Sequence, residues 1–193
     1  MKIGVKKFTY AKYASGGNGG AISYTGGVMT TDKTVNVEYS TERDQSKFHA
    51  DNHQIASANG VNGCSVSIEL ATLIKEIAAD VLGWVKEGNT EEYHETAKDA
   101  PYVGVGWIYT VDDGSGTLKY QPIWVYKIQF GLDSDTARTK GETIEWQTDT
   151  ISGDGVAVQL TEGGEWTYRA VLFDGATEAA AETWLKGKAG ISG

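Results

Sequence analysis

Cysteine is nearly missing from this chain. The single Cys64 permits no internal bridge, so the fold must rest on its core, and the count suits a reducing compartment. Long apolar runs are also missing. No segment approaches the ~20 apolar residues of a membrane span, and MKIGVKKFTY has no uninterrupted apolar stretch behind its basic residues, which predicts no secretory leader. Positive charge is in deficit: 17 Lys and Arg stand against 26 Asp and Glu, a net charge of −9. The three arginines (Arg43, Arg138, Arg169) are scattered. Tight nucleic-acid binding relies on clustered cations that neutralise phosphates, so it is disfavoured, whereas passive proximity to DNA is not. Heptads, collagen periodicity and internal repeats are absent. Together these absences predict a soluble protein made in a cytoplasm, without membrane contact.

Glycine is plentiful, with 25 residues against two prolines, which suggests many turns between strands. A length of 193 residues predicts one domain that buries roughly 70% of its unfolded surface. Alternation dominates the pattern. Cys64, Val66, Ile68 and Leu70 share one strand face, with Ser65, Ser67 and Glu69 on the other. Alternating strands are also expected at Val35–Tyr39, Tyr102–Thr110, Leu118–Phe130, Glu142–Ile151, Val156–Leu160 and Trp166–Leu172. Pro122 cannot donate to a ladder and calls for a strand start, an edge or a bulge. Gly104 and Gly106 oppose a bulky face, which suggests close approach by another group. Ile3 and Val5 are out of phase with Phe8 and Tyr10, which predicts a bulge near Lys6 and Lys7. The spacing of Ile74, Ile77, Ala78 and Val81 predicts a helix over about 73–83, capped by Thr72 and stopped by Gly83. A short C-terminal helix, capped by Asp174 or Thr177, is expected to end at Gly187. The fold class that follows is mainly β: an antiparallel sandwich or barrel with one flanking helix.

The segment KFHADNHQIA places His49 and His53 four apart, a zinc-binding spacing if helical. A metalloprotease helix carries Glu after its first His, but Ala50 stands there, and Asp51 and Asn52 favour a turn. No metal site is assigned. Cys64 on an apolar face reads as a buried hydrophobe. GGNGG lacks the lysine of a phosphate loop, and DDGSG at 112–116 reads as a hairpin turn. Glu91 and Glu92 would serve a glycosidase only if a fold brought partners to them. The chain is expected to be no enzyme and to need no cofactor. Long polar connections at 15–20, 87–99 and 131–141 are of the kind a partner orders.

MKIGVKKFTYAKY, then Ala50-Asp51-Asn52, GCSVSIELATL, VLGW, DAPYVGVGW, WVYKIQF and TKGETIEWQTDTISG follow one another along nearly the whole chain. This ordered set resembles the major tail proteins of long, non-contractile bacteriophage tails. The resemblance implies a single tail-tube domain over 1–193, with extended loops and terminal arms, that forms hexameric rings stacked into a virion tube. It implies partners too: further copies of itself, a tape-measure protein, tail chaperones, terminator and tail-tip proteins, and DNA passing without sequence-specific binding. Assembly would take place in the bacterial host cytoplasm. His49, Asp51, Asn52, Arg138 and Lys140 are then expected at subunit or ring interfaces, and Glu145 and Asp149 as acids lining the lumen. The alternative from another class is a monomeric carbohydrate-binding β-sandwich, and a third is a small hydrolase.

Overall fold

A computed structural model describes residues 1–31, 34–50, 53–114, 116–134, 148–173 and 177–191. The strands are β1 (Lys2–Ser15), β2 (Ser23–Met29), β3 (Thr34–Ala50) and β4 (His53–Leu70), followed by helix α1 (Lys75–Asp80). Then come β5 (Val85–Lys86), β6 (Tyr93–His94), β7 (Tyr102–Asp112), β8 (Leu118–Ser134) and β9 (Asp149–Gly155). The chain ends with β10 (Val158–Gln159), β11 (Trp166–Thr167), β12 (Arg169–Val171) and α2 (Glu178–Ala189). One antiparallel sheet runs β2-β1-β7-β8-β9-β4-β3, with β12 also pairing on β8. The expected mainly β, sandwich-like fold with a flanking helix is what forms.

The alternation read from sequence builds the core. Cys64, Val66, Ile68 and Leu70 are all buried, and with Phe8, Tyr10, Val105, Trp107, Val125 and Ile128 they form one cluster inside the curved sheet. Each large side chain taken out of water there contributes about 1.5–3 kcal/mol. Helix α1 closes this cluster with Ile77, while Val81 and Leu82 follow just past its end. The first residues of β1 and of β3 face each other across a crevice of about 230 Å³ without pairing, so the sheet curls toward a barrel but stays open.

The opposite face of β1, β7 and β8 is covered by α2. Ala181, Leu185 and Ala189, four apart on one stripe, are buried against Ala11, Ile108, Trp124 and Tyr126. The glycines of β7 make room: a Cβ on Gly106 would lie 2.7 Å from Leu185 Cδ2 and 2.5 Å from the Ile123 carbonyl oxygen. One on Gly104 would meet Trp124 and Tyr24 at 2.5 Å. The predicted bulge is present. The β1–β7 register slips between Lys6 and Thr9, and Lys7 takes a φ of 59°. Its neighbours clamp α2, Lys6 pairing with Glu178 at 2.8 Å and Lys7 with Glu182 at 3.2 Å.

Pro122 lies within β8 rather than at its start. Its carbonyl accepts from the Leu172 amide, so its missing N–H falls just beyond the end of β12, where no ladder needs it.

Several boundaries move. Helix α1 spans six residues instead of 73–83, and its N-cap is Ile74, not Thr72. The Leu73 amide, which a Thr72 cap would free for solvent, is taken by the Asp149 carboxylate at 2.5 Å. Val81 is the C-cap, with Gly83 two residues later at φ 75°. Helix α2 starts as expected at Thr177, whose side chain accepts from the Ala180 amide, but runs through Gly187 to a left-handed Gly190. The strand expected over 156–160 shrinks to β10, and that over 166–172 splits into β11 and β12. The strand expected from Val35 extends to Ala50. Of the strand expected over 142–151, residues 142–147 lie outside the described residues and β9 begins at Asp149.

Candidate functional site

Beyond the core, β3 and β4 continue as a ribbon. From Arg43↔Val61 to Ala50↔His53 eight pairs join them, whereas β4 pairs β9 only from Cys64 to Leu70. Among the described residues the ribbon therefore has no third strand. The segment holding His49 and His53 is thus a hairpin, not a helix: His49 stands opposite Gln54 and His53 opposite Ala50, and the zinc spacing has no helical face to act on. Asp51 and Asn52 fall between those last partners and lie outside the described residues, as do Arg138, Lys140 and Glu145. Of the predicted lumen acids, Asp149 is described. It starts β9, is half-buried and caps the Leu73 amide.

The strands β3, β4, β9 and the distal part of β8 form a unit with two open edges. Among the described residues β3 has no partner beyond β4. The β7–β8 pairing stops at Tyr102↔Gln129, so among the described residues Phe130 to Ser134 pair only with β9. All neighbours in this unit are antiparallel. Unpaired edges are normally blocked or covered.

The solvent face of the unit is acidic and hydroxyl-rich. Register places Glu38, Ser67, Ser152 and Gly131 in one row and Ser40, Ser65, Asp154 and Gln129 in the next. Ser40 and Ser65 hydroxyls meet at 2.8 Å, and Ser152 donates to the Asp133 carboxylate while its oxygen lies 3.2 Å from the Ser67 hydroxyl. Glu69 accepts from Thr148 at 2.6 Å. Glu38, Glu42, Glu69, Asp133 and Asp154 thus share one face, and residues 34–42, 63–70, 128–134 and 149–155 contain no lysine or arginine. Sequence reading caught part of this face, in Ser65, Ser67 and Glu69 opposite an apolar stripe. The remaining acids needed the strand register.

Cys64 is shielded, and the polar groups of the β5–β6 hairpin are paired. Burial raises the Cys64 thiol's pKa, which keeps it protonated and inert near neutrality. In the hairpin β5–β6, Glu91 accepts from Lys75 at 2.8 Å and Lys86 at 3.0 Å. Those two hydrogen bonds lower its pKa to about 2. Glu87, Glu92 and His94 bring their polar atoms within 4.8 Å of one another, but all are exposed, and His94 Nε2 is hydrogen-bonded to Glu87 at 2.8 Å. A solvated hairpin tip accounts for that arrangement. Among the described residues, no helix is long and apolar enough to cross a membrane.

Comparison of the chain with protein-family models and with curated proteins returned no match.

Proposed function

We propose that this chain is the structural subunit of a bacteriophage tail tube, assembling as hexameric rings that stack into a conduit for the genome. The observation that carries this reading is the four-stranded unit open at both edges. Because its strand directions alternate, the β3 edge of one copy meets the distal β8 edge of the next as an antiparallel neighbour, and the sheet continues across the seam. Such a contact is heterologous, so it closes into a ring when the rotation per copy allows.

The projecting β3–β4 ribbon supports the same reading. An isolated two-stranded hairpin is marginal in water, and packing on a neighbouring copy supplies the third surface it lacks. His49 stands near the far end of that ribbon, where an interface role is proposed for it; the same role for Asp51 and Asn52 is carried over from the family resemblance. The interface role of Arg138 and Lys140 is carried over from the family resemblance.

With the sheet continued, the acidic face of β3, β4, β9 and β8 becomes the lining of the lumen. Its carboxylates repel phosphates within a Debye length, roughly 8–10 Å at cellular ionic strength, so DNA slides without adhering. Glu38, Glu42, Glu69, Asp133 and Asp154 are the lumen acids of this reading, joined by Glu145 from the sequence pattern. Asp149 serves the fold instead, by holding the Leu73 amide. A tape-measure protein, tail chaperones and terminator and tip proteins are the partners proposed by resemblance, in a virion built in the bacterial cytoplasm. The account asks for no enzymatic step and no cofactor.

A second reading, a monomeric carbohydrate-binding module, draws on the exposed Trp166 beside Tyr168. Negative-stain electron microscopy at rising protein concentration separates the two. Rings or tubes ~100 Å wide, the order expected for six ~20 kDa domains around a channel, are the predicted result. Dispersed particles at every concentration, with saturable glycan binding, favour the module.

A further inference from the structure

Under the base of the β3–β4 ribbon lies a cleft of about 320 Å³ with Tyr39, Thr41, Val61, Trp166, Tyr168 and Arg169 in its walls. Trp166 is 57% exposed and Val61 45%, so the apolar wall is open to solvent. The Arg169 guanidinium lies over the Tyr39 ring at 4.0 Å and has no ion-pair partner among the described residues. Lys2 is near enough for Arg169 to help lower its pKa, after the larger effect of burial. Lys2 itself lies over the Tyr109 ring at 3.8 Å, so Arg169 is the cation this cleft offers in a chain whose net charge is −9. A guanidinium held flat on an aromatic ring keeps its N–H edge free for a carboxylate.

The same chain carries a segment that fits. Residues 95–101 read ETAKDAP, and Glu95 and Asp99 are exposed with no cation paired to them among the described residues. This segment runs into β7 where the open β8 edge begins: Gln129 donates to the Ala100 carbonyl at 2.6 Å and stands opposite Tyr102. Register carries that row across the unit, from Tyr102 through Gln129, Asp154 and Ser65 to Ser40 on the open β3 edge. Ser40 lies between Tyr39 and Thr41 of the cleft. A neighbour whose Phe130–Ser134 pairs with the β3 edge at Glu38–Arg43 brings its own Tyr102, and the 95–101 segment that leads into it, beside the cleft.

We propose that the cleft receives the 95–101 segment of a second copy, with Arg169 taking a carboxylate of Glu95 or Asp99 and Trp166 and Val61 covering the segment's small residues. This inference rests on the sheet continuation proposed above. It makes the seam two-layered: backbone pairing on the lumen side and a charged, partly desolvated lock on the core side. Desolvation makes the pair discriminating, because the wrong charge there leaves a cation or carboxylate unpaired.

The test is charge reversal read by sedimentation velocity across a concentration series, with circular dichroism melting as the fold control. Arg169 is exposed, so Arg169→Glu is expected to melt like the parent. It should raise the concentration for half-assembly by about tenfold or more. Asp99→Arg or Glu95→Arg alone should do the same, and one of them combined with Arg169→Glu should restore assembly. Assembly of Arg169→Glu at the parental concentration overturns the cleft proposal and leaves the tube reading standing. Loss without rescue by either partner overturns the assignment to 95–101. A parent chain that stays monomeric and binds glycan in this cleft overturns both.

Discussion

Trp124 donates its indole N–H to the Tyr24 hydroxyl at 3.1 Å, and the Tyr24 O–H donates in turn to the Tyr126 backbone carbonyl at 2.7 Å. The two rings meet edge to face, with centroids 5.3 Å apart. This relay ties the edge strand β2 to β8 across β1 and β7, under the end of α2. Burial raises the Tyr24 pKa, so its proton stays in place to be donated throughout the physiological range.

Removing the hydroxyl should therefore cost more than a hydroxyl usually does. Tyr24→Phe leaves the buried Trp124 N–H and the Tyr126 carbonyl without partners, and a loss of about 1–3 kcal/mol in urea unfolding is expected. Tyr10 is the contrast. Its hydroxyl is buried with no hydrogen-bond partner, although burial and the charges of Asp80 and Glu76 raise its pKa. Tyr10→Phe should be neutral within about 0.5 kcal/mol or stabilising. Equal losses in the two variants would contradict the assignment.

Gly106→Ala should destabilise by about 1–3 kcal/mol, because the added methyl meets the Ile123 carbonyl at 2.5 Å and Leu185 at 2.7 Å. A backbone carbonyl in a sheet does not yield as a side-chain end does, so α2 is expected to lift. Thermal melting followed by Trp fluorescence reads the loss. A melting temperature unchanged from the parent would show that the helix has slack at this point.

Acid should open the β5–β6 hairpin late. Glu91 has its pKa lowered to about 2 by its hydrogen bonds to Lys75 and Lys86. A carboxylate depressed in the folded state contributes its stabilisation above the unfolded value of about 4.3 and loses it as pH falls through the folded value. The window is thus about pH 4.3 down to 2, and the contribution is small because the pair is fully exposed. An NMR titration of the Glu91 side chain should place its midpoint well below the ordinary glutamate value of about 4.3. A midpoint near the ordinary glutamate value would mean the two lysines do not hold it.

Much of the body was legible because it is local. The stripe from Cys64 to Leu70, the phase slip at Lys6 and Lys7, the small face at Gly104 and Gly106 and the Thr177 cap each depend on neighbours in the chain. What escaped depends on distance. Thr72 is no cap because the backbone is still extended at Ile74, and Asp149, 76 residues beyond Leu73, holds the Leu73 amide ahead of the helix. The ribbon escaped because residues 43–63 carry no regular alternation of apolar and polar side chains. The acidic face was half-visible in Ser65, Ser67 and Glu69, but Asp133 and Asp154 join it only through the pairing of β8, β9 and β4. Which strand edges are open is a property of topology, and no residue announces it. The motif-derived residues Asp51, Asn52, Arg138, Lys140 and Glu145 lie outside the described residues, so the structure's own candidates are the open edges and the acids between them.

Those edges also offer the most direct measurement, amide hydrogen exchange compared between dispersed and assembled protein. Pairing across the seam predicts that alternate amides of β3 from Glu38 to Arg43, and of β8 from Phe130 to Ser134, become strongly protected on assembly. Amides central in β7 and β8, already paired on both sides, should change little. Assembled particles in which the β3 and distal β8 amides exchange as fast as in the dispersed chain would contradict the claim that the sheet is continued by copies of itself.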